Sequence, residues 1–258
     1  MTPEVVKTEL VEAGVAVVTI DNPPVNAHSG QVLEEVAWSF DAVSDRDDVR
    51  VAILTGAGRV FCAGADIKNR SGRAPRVGDH WQSSRAAREA YHSIRECQKP
   101  VIGALNGPAL GGGLAFAASC DMLIASENAC LGLPEINVGL LGGGRHAQRL
   151  FSHSRLRRMM LTGYRVFGPE LYRLGVVEAC VAPYALMDSA MALAREVAAK
   201  SPIAIRLAKH ALNSIEEMSL RDGYRFEQSM TGELTKTEDS KEAMRAFVEK
   251  RDPVFKGR

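Results

Sequence analysis

Three features of the 258-residue sequence predict an α/β fold with a helical C-terminal part. Short apolar runs of strand character alternate with segments whose apolar residues recur every three or four positions. That strand-then-helix order returns repeatedly before residue 195. After Glu170 the strand signals thin out and helical periodicity takes over.

Taken in order, "VVKTELVEAGVAVVTID" holds two β-rich runs split by Ala13-Gly14, a hairpin signal, and "NPP" at 22 to 24 stops the second run. "SGQVLEEVAWSFDAVSDRDD" has helical spacing, with Ser29 placed to accept a first-turn amide as the N-cap. "VRVAILTGAG" reads as a short buried strand, which closes a β-α-β unit. The polar, glycine-punctuated stretch 69–84 predicts a surface loop. A polar, basic helical region from about Asp79 to Gln98 leads into a strand over Pro100 to Leu105. "GGGLAFAASCD" then leads into Met122-Leu123-Ile124-Ala125. Further on, "LMDSAMALAREVAAKS" and "IAIRLAKHALNSIEEMS" are amphipathic helical patterns, and the chain closes in the charged "KTEDSKEAMRAFVEKRDPVFKGR". The division expected is a core at 1–195 and a helical region at 196–258.

Composition narrows the function classes. Lys and Arg total 32 against 31 acidic residues, so bulk charge draws the chain neither to nucleic acid nor to an anionic membrane. A small phosphorylated ligand stays within range of local cations. Cysteines 62, 97, 120, 130 and 180 form an odd set without metal-ligand spacing, as for reduced, packed thiols, and no metal is expected. No apolar run reaches the ~18 residues of a membrane span, and "MTPEVVKTEL" lacks a basic n-region, so the expected location is cytoplasmic.

The chemistry concentrates around "LGGGLAFAASCD", Leu110 to Asp121. Three glycines at a helix start leave the main chain open to a ligand, and the first-turn amides there lack internal acceptors and carry the positive end of the helix dipole. Such a place suits a developing oxyanion. "VFCAGADIK", 60–68, ends a strand in Ala-Gly-Ala and supplies a second candidate amide for the same hole.

"FCAGADIK" at 61–68, "NGPALGGGLAFAASCD" at 106–121, "LGLPEINVGLL" at 131–141 and the closing "AFVEKRDPVFKGR" resemble, in order and spacing, the enoyl-CoA hydratase/isomerase or crotonase superfamily. The resemblance spans almost the whole chain. It implies a crotonase (ClpP-like) spiral of ββα units with two roughly perpendicular sheets, then a C-terminal helical region used for trimerisation, giving a homotrimer or a dimer of trimers. It also implies an acyl-CoA substrate, with coenzyme A as part of that substrate and no other cofactor. The thioester carbonyl would be held by the amides matching Ala65 and Gly112, with Gly111 beside it, which polarises the thioester and stabilises an enolate. For the nucleotide end, Val25 and Ala27 would line the base pocket and the main chain of Ala63 and Ile67 would read the adenine. Lys68, with Phe255 and Lys256 from the tail of a neighbouring subunit, would reach the phosphates and nucleotide.

Two departures from the family pattern decide what reaction to expect. Family hydratases carry a glutamate two residues after the glycine triplet, where this chain has Ala115. The second acidic motif is intact as Leu133-Pro134-Glu135-Ile136, which makes Glu135 the acid/base candidate. Syn addition of water is easiest with two acid/base groups, whereas moving a double bond needs one group that removes and returns a proton. A lone glutamate therefore favours isomerase-like chemistry over hydration or dehydration. In "GGGRHAQRL", Gly142 replaces the family proline, and Arg145 and His146 replace two later glycines. His146 could fill the vacant acid/base role and Arg145 could read an acidic group on the acyl chain. The alternative from another class is a non-catalytic CoA-binding or assembly protein of the same fold.

Three other signals point nowhere further. Gly142 to Ala147 fits a dinucleotide-binding pattern by letters but lacks the preceding strand and the acidic residue. Cys62 has no adjacent histidine to activate it as a nucleophile. Arg155, Arg157 and Arg158 read as a solvated helix face or subunit contact.

Overall fold

The computed structural model describes residues 4–66 and 76–258. The predicted hairpin forms from β1 (Val6–Glu12) and β2 (Gly14–Ile20), followed by α1 (Gly30–Asp45) and β3 (Val49–Gly56). Ser29 caps α1, its hydroxyl accepting the Val32 amide at 3.2 Å. α2 covers Asp79–Glu96, so the end of the stretch predicted as a loop is already helical. The spiral then takes shape. β4 (Val101–Leu105), β5 (Pro108–Leu110) and α3 (Gly112–Ser119) make one turn. β6 (Met122–Ser126), β7 (Cys130–Gly132) and a 3₁₀ turn over Pro134–Val138 make the next.

Each turn places one strand in each of two sheets. The larger sheet runs β1-β2-β3-β4-β6-β9, where β9 is Ala179–Val181, and is parallel apart from the β1 hairpin. The smaller sheet runs β5-β7-β8, with β8 at Arg165–Phe167, and Cys62 extends it through a parallel bridge to Ala109. α4 (Gly144–Ala147), α5 (His153–Thr162) and α6 (Gly168–Arg173) lie between the second turn and β9. The arrangement is the crotonase fold, and helices dominate the C-terminal part as expected.

Alternation along β3 builds two cores. Ala52 and Leu54 face a large cluster with Phe40, Phe61 and Phe116, while Val51 and Ile53 face α7 (Leu186–Ala198). α7 lies on the large sheet and runs through residue 195. α8 (Pro202–Ile215), α9 (Leu220–Leu234) and α10 (Glu238–Glu249) follow. The Arg155 to Arg158 run lies on a largely solvated helix face, Arg157 and Arg158 being exposed, and takes local partners there: Arg155 pairs with Glu170 at 2.9 Å, and Arg158 stacks over Tyr164 at 3.6 Å.

α8 is fastened to the core by a charge. Lys209 is 7% exposed, and its Nζ donates to Asp121 Oδ2 at 2.8 Å and to the carbonyls of Lys99 and Ile94 at 3.0 and 3.3 Å. Removing a buried charge strands its partners, which costs more than the pair itself contributes. Lys209→Met, which keeps the volume, is expected to lower stability by about 3 kcal/mol in urea unfolding. A loss below about 1 kcal/mol would mean that water takes over these contacts.

Candidate active site

The three glycines are explained one at a time by what presses on them. Gly111 has φ 55° and ψ −115°, and a Cβ there would overlap Glu135 Oε1. A Cβ on Gly112 would overlap His28 Nε2 and come within 2.8 Å of the Tyr91 hydroxyl. A Cβ on Gly113 would overlap the Cys62 carbonyl. Close approach from three directions, by segments distant in sequence, requires glycine at each position.

Two main-chain segments meet here. Cys62 to Ala65 runs beside β5, with the Leu110 amide donating to Cys62 O at 3.0 Å. Gly64 has φ +90°, and a Cβ on it would lie 2.7 Å from Leu110 O and 3.4 Å from Gly112 N. The Ala65 bridge to His28 uses the His28 amide on Gly64 O at 2.9 Å. In a parallel ladder this directs the Ala65 amide to the opposite side. Gly112 is the first residue of α3, so its amide has no acceptor within the helix. Ala65 and Gly112 thus stand side by side on neighbouring segments, half-buried in the described chain.

Glu135 sits in the 3₁₀ turn after β7. Its own carbonyl accepts the Leu140 amide at 3.0 Å, which folds the following loop back over it. Gly142, in place of the family proline, faces the carboxylate, with 3.7 Å between its Cβ position and Glu135 Oε1. Glu135 Oε2 is buried without a hydrogen-bond partner among the described residues. Burial pushes the carboxyl above the usual range, against a smaller opposing contribution from its own backbone. A carboxylate so placed exchanges a proton at higher pH than a solvated one.

Around Tyr91 lies a polar aromatic group of which the sequence reading singles out only His146. Its ring centroid is 6.5 Å from that of His28, 5.2 Å from Phe116 and 5.0 Å from His146. His28 meets both segments: its amide donates to Gly64 O, and its imidazole fills the space that a Cβ on Gly112 would need. A histidine one residue past the expected Ala27 was the available signal. Ala115 is 1% exposed on α3, and its carbonyl accepts the Ser119 hydroxyl at 2.8 Å.

Other expected site residues fall into three groups. Val25, Ala27 and Ala63 are brought together, the Ala63 amide donating to Val25 O at 3.1 Å and the Ala27 carbonyl accepting from the Asn22 side chain at 2.7 Å. Asn26 between them, at φ 53°, ties this loop to the Ala57 and Val60 carbonyls. Phe255 and Lys256 lie in a tail held on α10, where Asp239 accepts the Lys256 amide at 2.8 Å. Ile67 and Lys68 lie outside the described residues. Arg145 is exposed and paired with Glu217. Burial first, and then electrostatic repulsion from His92, Arg149, Arg145 and Arg95, lower the His146 pKa below the usual histidine value. Burial pushes the Cys62 thiol up to about 12, which suits packing and not nucleophilic attack.

The enoyl-CoA hydratase/isomerase family profile matches residues 11–258. The chain belongs to this family. Among enoyl-CoA hydratase/isomerase relatives, the short-chain-enoyl-CoA hydratase of Clostridium acetobutylicum is 36% identical over 93% of this chain and 93% of its own. The (7aS)-7a-methyl-1,5-dioxo-2,3,5,6,7,7a-hexahydro-1H-indene-carboxyl-CoA hydrolase of Mycobacterium tuberculosis is 37% identical over 93% of this chain and 96% of its own. The crystal structure of an enoyl-CoA hydratase from Bacillus anthracis superposes with a TM-score of 0.91 at 32% identity, covering 99% of this chain and 100% of that one. The protein is therefore an acyl-CoA-processing enzyme of the enoyl-CoA hydratase/isomerase family. None of its described helices is long and apolar enough to cross a membrane.

Proposed function

We propose that this enzyme moves a proton on the carbons next to an acyl-CoA thioester, with Glu135 as the single acid/base and the amides of Ala65 and Gly112 receiving the thioester oxygen. The observation that carries the reading is the Glu135 carboxylate packed on Gly111, one residue from the open amide of α3, with one oxygen buried and unpartnered. Two donors polarise the carbonyl, and charge that develops on its oxygen as the α-proton leaves meets groups already oriented to accept it. Glu135 takes that proton and returns it to the same or a more distant carbon. Double-bond isomerisation of an enoyl-CoA is the reaction this set performs with the fewest parts. Coenzyme A enters as part of the substrate, with its nucleotide against Val25, Ala27 and Ala63 and, from the C-terminal tail, Phe255 and Lys256. The exposed apolar side chains of α9 and α10, Leu220, Phe247 and Val248 among them, support self-association as a trimer or dimer of trimers.

A second reading follows from the mycobacterial relative. A lone carboxylate that activates water would also serve hydrolysis at a ketone of an oxo-acyl-CoA. A panel of 2-enoyl-, 3-enoyl- and cyclic oxo-acyl-CoAs with mass detection separates the two. Double-bond migration without a mass change supports isomerisation, a gain of one water with ring opening supports hydrolysis, and no turnover of any of them contradicts both.

Water addition has its own test at Ala115. The position lies one turn past Gly111 on α3, so Ala115→Glu would restore a second carboxyl on that helix. Its expected effect is a rise of about 10-fold or more in hydration of a short 2-enoyl-CoA, at some cost in stability from burying the side chain. If His146 fills that role instead, wild type hydrates measurably, His146→Ala loses the activity and Ala115→Glu adds nothing.

A further inference from the structure

A cavity of about 310 Å³ opens behind the Tyr91 ring, at the C-terminal end of α3. Tyr91 belongs to both places: its hydroxyl lies 2.8 Å from where a Cβ on Gly112 would stand, and the residue lines the cavity with Ser119 and His146. Gly112 and Ser119 lie about 10 Å apart along the helix, at 1.5 Å per residue. Among the described residues that line it there is no aliphatic side chain. A hydrocarbon tail would gain little there, since transfer free energy scales with apolar surface removed from water.

The charge of the cavity has a sign. Arg95 and Arg149 share a single carboxylate, Glu216, each at 2.9 Å. Arg95 Nε is buried with no acceptor among the described residues. At the rim Arg145 is matched by Glu217. The interior therefore holds two guanidinium groups over one carboxylate. Guanidinium groups prefer carboxylates among the oxygen functions an acyl chain can carry, because both are planar and pair through two hydrogen bonds.

We infer that this cavity receives a second carboxylate at the far end of the acyl group, so that the enzyme takes CoA half-thioesters of diacids in preference to simple fatty acyl-CoAs. The inference rests on the acyl-CoA reading above and extends it to the distal end of the substrate. Suberyl-CoA, with its free carboxylate, and octanoyl-CoA, with a methyl in its place, are matched saturated probes whose binding by calorimetry needs no turnover.

Suberyl-CoA is expected to bind wild type about 10-fold more tightly or better, a difference of about 1.4 kcal/mol. Arg95→Gln should reduce that ratio severalfold. Glu217→Gln frees Arg145 at the rim and should raise the ratio about threefold, a gain that misfolding cannot produce. Octanoyl-CoA binding equal to or tighter than suberyl-CoA, or a ratio that does not rise in Glu217→Gln, overturns the cavity assignment alone. Failure of both thioesters to bind overturns the assignment together with the acyl-CoA reading.

Discussion

Glu135→Gln should lower turnover of any accepted enoyl-CoA by about 10² to 10⁴, the usual range for a lost general acid/base. The amide keeps the size of the side chain and its place over Gly111, but it accepts no proton from carbon. Binding should change little, so the loss appears in kcat and not in KM. Stability offers the control. Because burial holds the Glu135 pKa above its unfolded value, ionising the group as pH rises through the folded pKa works against the fold. The neutral amide avoids that cost, and its Tm at pH 7 should equal or exceed that of wild type. A variant retaining more than about a tenth of wild-type turnover would remove Glu135 from the chemistry.

Gly111→Ala should be nearly as damaging by a different route. The backbone at φ 55° and ψ −115° belongs to a region that glycine occupies and other residues reach only under strain, about 1–3 kcal/mol. The new methyl would also occupy the place of Glu135 Oε1. Either the carboxylate moves or α3 does, and a displacement of ~1 Å in a reacting group is enough to cost about 10² in rate. The expected result is a Tm lowered by several degrees with kcat/KM down about 100-fold. Activity within about threefold of wild type would mean that the carboxylate works from a position other than the one against Gly111.

Much of this site was legible in the sequence because its parts are local signals. Ser29 announced the start of α1 and the glycine triplet announced bare backbone at a helix start, while the resemblance of Leu133-Pro134-Glu135-Ile136 to the family motif singled out Glu135 as the acid/base candidate. What pressed on each glycine was not legible. The Glu135, His28 and Cys62 contacts come from segments between 24 and 84 positions away, and only tertiary packing brings them to one helix end. The strands of the smaller sheet were missed for a related reason: β5, β7 and β8 are three residues each, too short for a period-two pattern to show. Arg145 reads as a pocket cation in sequence, but its pairing with Glu217 on the turn after α8 moves that charge to the rim. The cations inside the cavity are Arg95, from the helix read as polar and basic, and Arg149.

On this reading one carboxylate enolises the thioester. Incorporation of solvent deuterium at the α-carbon of an accepted acyl-CoA, followed as a function of pH in wild type, tests it most directly. Proton removal needs ionised Glu135, whose pKa burial raises. The exchange rate should therefore fall on the acid side through a single limb above about 4.3, the usual value for glutamate. Tight binding of the acyl-CoA with no exchange at any pH would contradict the account.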